Sequence, residues 1–194
     1  MTPLDAARLA NRSYSDTPTF GKVNGSGRAV VYDRAVAFPG TDNVATFLAD
    51  LDAVAIRVNG LGSVHCGFND AWKEVAGPVL ALKSVDFVIG HSLGGAIALL
   101  CAASLCLAGT PPKVVYAFEP PHVSQDDTIA KLLKAKGVEV HIFRCGQDIV
   151  PLVPRLLGNW QHPGPVTAIG KAKHAFPNID DHLMTSVLAA LATA

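Results

Sequence analysis

The sequence predicts an α/β fold, a mostly parallel central sheet flanked by helices, from three observations. From residue 85 onward, apolar runs at 85–89, 114–118 and 138–143 alternate with helix-forming stretches at 93–107 and 124–136, the order of successive βαβ units. A serine between glycines, in GHSLGG at 90–95, stands where the first of these runs gives way to a helix. The 194 residues, 49% of them apolar, suffice for one domain burying roughly 70% of the surface its unfolded chain exposes. No repeat, linker or low-complexity tract divides them, so a single domain over 1–194 is expected.

Taken in order, residues 28–32 and 34–38 are short β-branched and aromatic runs split by Asp33, read as a hairpin or two adjacent strands. Val44, Phe47, Leu48 and Leu51 fall at i, i+3, i+4 and i+7 behind Asp42 or Asn43 as a cap, the pattern of a short amphipathic helix. Over 68–82, Phe68, Ala71, Trp72, Val75, Val79 and Leu82 recur at mostly helical spacing, with a kink expected at Gly77-Pro78. The βαβ alternation follows. Ligands of such sheets sit beyond the carboxyl ends of strands, which directs attention to the residues after Phe38, Ile89, Phe118 and Phe143. A last helix, with Leu183, Val187, Leu188 and Leu191 on its apolar face, is expected to open at His182, with Asp180 or Asp181 placed to cap it.

Lys+Arg and Asp+Glu both number 16, so there is no basic field for nucleic acid and the expected partners are neutral or apolar molecules. The first residues lack the basic and apolar regions of a secretory signal, and no apolar run nears the roughly 20 residues of a membrane span, so a soluble cytoplasmic protein is expected. Cys66, Cys101, Cys106 and Cys145 show no CxxC spacing and are expected as buried reduced thiols. Neither a cofactor nor a metal is expected, and no phosphate-binding glycine loop is present.

Gly90-His91-Ser92-Leu93-Gly94 fits G-x-S-x-G between a strand and a helix. The neighbours two positions either side of a serine on so sharp a turn are pressed together, which calls for glycine. The serine hydroxyl then stands clear of the sheet above a helix N-terminus that favours negative charge. Serine needs a base, and in this kind of site the partners follow in the order Ser, acid, His. Asp148, shortly after the run at 138–143, is the preferred acid; Glu119, directly after its own strand, is next, and Asp180 and Asp181 are rivals. His162, His174 and His182 satisfy the chain order, and His182 at a helix start is preferred as base. Acyl transfer also needs donors for a developing oxyanion. The N–H of Leu93, following the nucleophile, is one; Thr41, after Gly40 in VAFPGTDN, is the other. The segment after Thr41 reads either as a packed helix or as an apolar flap over the serine.

These residues resemble the class 3 lipases, the fungal-type lipase and lipase-like group of the α/β-hydrolase fold. FPGT at 38–41 is similar to the family's F-R-G-[ST], VHCGF at 64–68 to V-H-x-G-F, and DIVPLVP at 148–154 to D-x-V-P-x-x-P. WQHPGPV at 160–166 and Asp181-His182-Leu183 complete the match. The resemblance implies a minimal α/β hydrolase in which Asp148 orients, His182 is the base, His162 is structural, Thr41 serves the oxyanion and 43–51 takes the place of the lid. Pro39 departs from the family's arginine, and FEPPHV at 118–123 stands where the family has something like F-G-x-P-R-V, making Glu119 and His122 unusual. The small flap favours accessible esters over strong interfacial activation.

The expected function is hydrolysis of small-molecule or lipid carboxylic esters through a Ser92–His182–Asp148 triad and an acyl-enzyme, with at most transient contact with a membrane surface. An acyltransferase or thioesterase using the same triad, and a catalytically silent lipase-like binding module, are the alternatives. Leu152, Val153, Leu156 and Leu157 are candidates for an acyl groove.

Overall fold

The computed structural model describes residues 1–41, 43–154 and 158–193. In chain order the elements are α1 (Pro3–Arg12), β1 (Phe20–Gly21), β2 (Arg28–Tyr32), β3 (Ala35–Phe38), α2 (Val44–Asp50), β4 (Ala55–Val58), β5 (Gly62–His65) and α3 (Cys66–Leu80). There follow β6 (Phe87–His91), α4 (Leu93–Leu107), β7 (Val114–Phe118), α5 (Thr128–Ala135), β8 (Glu139–Cys145), β9 (Val166–Ile169) and α6 (Met184–Ala192).

One sheet runs β1-β2-β3-β6-β7-β8-β9, antiparallel across β1, β2 and β3 and parallel from β3 to β9. The two runs near residue 33 form a hairpin: Tyr32 pairs with Ala35 across a two-residue loop in which Asp33 takes a left-handed φ of 52°. Side chains alternate between two cores, as strand geometry requires. Val88, Val115 and Ala117 face the layer of α3, α4 and α5; Ile89, Tyr116 and Phe118 face α1 and α6. The segment 93–107 is apolar all round because it is covered all round: α4 lies between β6 and β7 on one side and α3 on the other.

Several expectations shift in detail. Helix α3 is one element from Cys66 to Leu80 with Pro78 inside it. Helix α5 begins at Thr128 rather than near 124, because Ser124 is drawn into bridges with Val64 and Gln161 and the Asp126 carboxylate accepts from Ser63 N–H and Thr128 N–H. Helix α6 begins at Met184, so His182 precedes it instead of opening it, and neither aspartate caps it. Asp181 is buried and instead accepts from the N–H groups of Gln147 and Lys173 and from Asn178 Nδ2. Cys101, Cys106 and Cys145 are buried and free, whereas Cys66 is free but half-buried. Asn43 caps α2 through Thr46 N–H; Asp42, Leu156 and Leu157 lie outside the described residues. Among the described residues no helix is long and apolar enough to cross a membrane.

Candidate active site

Ser92 occupies the step from β6 into α4 at φ 58°, ψ −129°, a backbone conformation unfavourable for any residue with a Cβ. The glycines around it are obligatory on contact grounds. A Cβ on Gly90 would run into the Gly94 carbonyl, one on Gly94 into the Phe38 carbonyl, and one on Gly40 would lie 2.8 Å from Ser92 Cβ. The turn is locked by Ser92 N–H donating to Phe118 C=O at 3.0 Å. Ser92 is fully buried, and among the described residues its Oγ has no hydrogen-bond partner.

The parallel register that sets Phe118 beside Phe143 brings the ends of β7 and β8 together, and with them Glu119 and Asp148. Asp148 Oδ1 accepts from Val150 N–H at 3.0 Å, and Oδ2 lies 2.7 Å from His182 Nδ1. A carboxylate at that distance fixes the tautomer: Nδ1 carries the proton, and Nε2 is left as a bare acceptor. His182 Nε2 is buried and also lacks a partner among the described residues. The structure thus holds two buried, unsatisfied groups whose chemistry is complementary, a hydroxyl and a basic imidazole nitrogen, with the imidazole oriented from behind.

Glu119, fully buried at φ 52°, places Oε2 3.6 Å from His182 Nδ1 and 3.3 Å from His91 Nε2, while Oε1 accepts from Cys145 N–H at 3.1 Å. Burial, and then the neighbouring Asp148 charge, push its carboxyl well above the usual carboxylate range, so it stays protonated. His91 Nε2 faces the His182 carbonyl at 2.9 Å, which can only accept, so His91 carries its proton there and Tyr14 O–H donates to Nδ1 at 2.6 Å. Burial and the adjoining His182 hold His91 well below its ordinary value, and it remains neutral.

Thr41 and Leu93 both line the larger of two cavities. Leu93 heads α4, so its N–H has no acceptor within the helix. The buried Arg28 donates from Nη2 to Gly40 C=O at 2.9 Å, and since C=O and N–H of a trans peptide point opposite ways, that contact aims Thr41 N–H away from Arg28. Two cavities meet at Thr41. The larger, about 650 Å³, runs under α2 past Phe47, Leu51, Phe68 and Leu93; the smaller, about 370 Å³, reaches His182 past Tyr14, Val44 and Met184. Leu152 and Val153 line neither. Helix α2 fully buries none of its residues, yet Phe47 and Leu51 pack on the core and Phe47 stacks on Phe68.

The other histidines stand elsewhere. His162 donates Nε2–H to Pro151 C=O at 3.0 Å, its value lowered to about 4 by burial and by His122; His174 pairs with Asp180 at 2.7 Å on the surface. Sequence reasoning missed Tyr14 and the chain of contacts through His91 to Glu119, and the helix that carries Tyr14 into place. Its signal was present: Thr2-Pro3-Leu4-Asp5 forms a capping box with proline at the first turn.

Among known proteins, the family described as Lipase (class 3) matches residues 35–157. The chain belongs to the class 3 lipases. It is 32% identical over 162 residues to secreted mono- and diacylglycerol lipase 1 of Fusarium solani, covering 75% of this chain and 48% of that protein. It is 30% identical over 186 residues to secreted mono- and diacylglycerol lipase A of Penicillium cyclopium, covering 89% and 58%. A lipase structure from Rhizopus microsporus var. chinensis superposes with TM-score 0.73 at 21% identity, covering 93% and 84%, which establishes the α/β-hydrolase fold. The class 3 chain spans about half the length of the curated relatives it matches. The expectation of a cytoplasmic protein is corrected here: relatives named as secreted lipases point to an extracellular setting.

Proposed function

We propose that this chain is a single-domain carboxylic ester hydrolase, comprising residues 1–194, that acts on lipid esters of the acylglycerol kind through Ser92, His182 and Asp148. One observation carries the reading: His182 is held by Asp148 at 2.7 Å in the tautomer that leaves Nε2 free, while Ser92 Oγ is buried without a partner on a strained turn. Ser92 Oγ attacks the ester carbonyl as His182 Nε2 takes its proton; the imidazolium is steadied by Asp148 and then protonates the leaving alcohol. The N–H groups of Leu93 and Thr41 take the tetrahedral oxyanion, and water hydrolyses the acyl-enzyme by the same base. The names of the relatives and the two cavities meeting at Thr41 support ester substrates with an apolar chain.

The test is covalent labelling with a fluorophosphonate, followed by hydrolysis of p-nitrophenyl esters of increasing chain length with and without lipid vesicles. One equivalent of label on Ser92 and turnover abolished by Ser92→Ala are expected. Undiminished hydrolysis by that variant would remove the mechanism, and a fully folded protein that neither labels nor turns over would make it a binding module.

A further inference from the structure

Resting on that reading of the site, we infer that Glu119 is a second positioning acid for His182, held behind the same imidazole nitrogen as Asp148 and able to take over its proton contact when Asp148 is removed. The two acids come from the ends of adjacent parallel strands, so the sheet itself delivers both to one imidazole. Asp148 Oδ2 stands 2.7 Å from Nδ1 and Glu119 Oε2 3.6 Å from it; about one ångström of side-chain movement exchanges them. Glu119 is not loose filler. Its oxygens take Cys145 N–H and His91 Nε2–H, His91 is in turn fixed by Tyr14, and the backbone adopts a left-handed conformation to present it.

Both carboxyl groups stand within 3.6 Å of one imidazole nitrogen, and ionising Glu119 beside the other is disfavoured. With Asp148 present, burial and then the Asp148 charge hold the carboxyl proton on Glu119. The groups facing Glu119 are Asp148, His182, neutral His91, the Cys145 thiol and, further off, Asp181. Removing Asp148 removes the nearest negative charge. Glu119 then releases its proton more readily, and its carboxylate has the Nδ1–H of His182 as its natural partner.

The experiment compares Asp148→Ala, Glu119→Gln and the double variant with the unaltered chain. It measures kcat/KM against pH on a p-nitrophenyl ester and the low-field proton resonance of His182 Nδ1–H, which does not require activity. Loss of a lone orienting acid costs about 10⁴-fold. Here Asp148→Ala is expected to lose only about 10- to 100-fold and to show a new acid limb as Glu119 titrates, with the low-field resonance retained. Glu119→Gln costs a few-fold alone but at least about 30-fold more on top of Asp148→Ala, and the double variant loses the resonance. Equal activity in the single and double variants, with no resonance in Asp148→Ala, overturns the inference. Should Asp148→Ala fail to fold, Asp148→Ser, which also removes the carboxylate and leaves room for Glu119 at Nδ1, replaces it with the same expectations. If the resonances follow this pattern while no ester is turned over, the hydrolase reading fails and the positioning role stands.

Discussion

Adding a single methyl group at Gly90 tests whether the geometry around Ser92 is set by contact rather than by habit of sequence. A Cβ there would overlap the Gly94 carbonyl and lie 2.8 Å from Gly95 N, where carbon against a backbone atom needs about 3.5 Å. The first turn of α4 must therefore retreat by about 1 Å, and that turn carries the Leu93 N–H. Displacements of this size at a reacting centre cost on the order of 100-fold in rate. The clash is with main chain inside a packed core, so about 3 kcal/mol of stability should go with it, or about 6–12 °C in Tm for a chain of this size. Gly77→Ala is the control: beyond its chain neighbours its Cβ meets nothing within 4 Å, and the helix gain is offset by Pro78 after it, so it should change stability by less than about 1 kcal/mol and leave the rate alone. The assay is fluorophosphonate labelling rate together with thermal unfolding. A Gly90→Ala protein that labels within about threefold of the unaltered chain and melts within a degree or two of it would refute the argument from contact.

Ser92→Ala should raise Tm by about 2–4 °C while abolishing labelling, because it removes a buried hydroxyl without a partner, worth about 1 kcal/mol; a lower Tm in calorimetry would contradict this. Arg28→Met should lower kcat about tenfold with KM little changed, since the carbonyl that aims Thr41 N–H loses its charged donor; steady-state kinetics on one ester separates the two terms. Glu119→Gln should stabilise the fold increasingly as pH rises. Above about pH 4 the unfolded chain gives up this proton and the folded chain keeps it, so folding loses up to about 1.4 kcal/mol per pH unit until the raised folded-state value is reached. Melting curves of the two proteins should therefore diverge as pH rises from about 5, and parallel curves would show Glu119 to be ionised.

The parts of the molecule that could be read from sequence were those where one local pattern answers to one local cause. Alternating apolar runs place β6, α4, β7 and β8, and G-x-S-x-G marks Ser92, while chain order leaves rivals and the family likeness decides for Asp148 and His182, which lie 2.7 Å apart. What was not legible depends on partners distant in sequence. Asp181 reads as a helix cap until Gln147 and Lys173 are seen to claim it. Residues 124–127 read as helix until Val64 and Gln161 draw Ser124 aside. Glu119 reads in the sequence as a rival to Asp148, whereas the register of β7 and β8 makes the two neighbours. The β4–β5 hairpin was legible too, since Asn59-Gly60 between the two strands is a strong hairpin signal.

The Asp181 carboxylate ties the segment that carries Asp148 to the segment that carries His182, and Ile149 N–H to Asn178 C=O and Asn178 N–H to Gln147 C=O add two rungs between them. Mechanical continuity between acid and base therefore runs through these noncovalent rungs and does not depend on the exposed backbone of 174–177. A tether, tag or surface-immobilisation peptide spliced between Ala175 and Phe176 would hang from the molecule without pulling its two halves out of alignment.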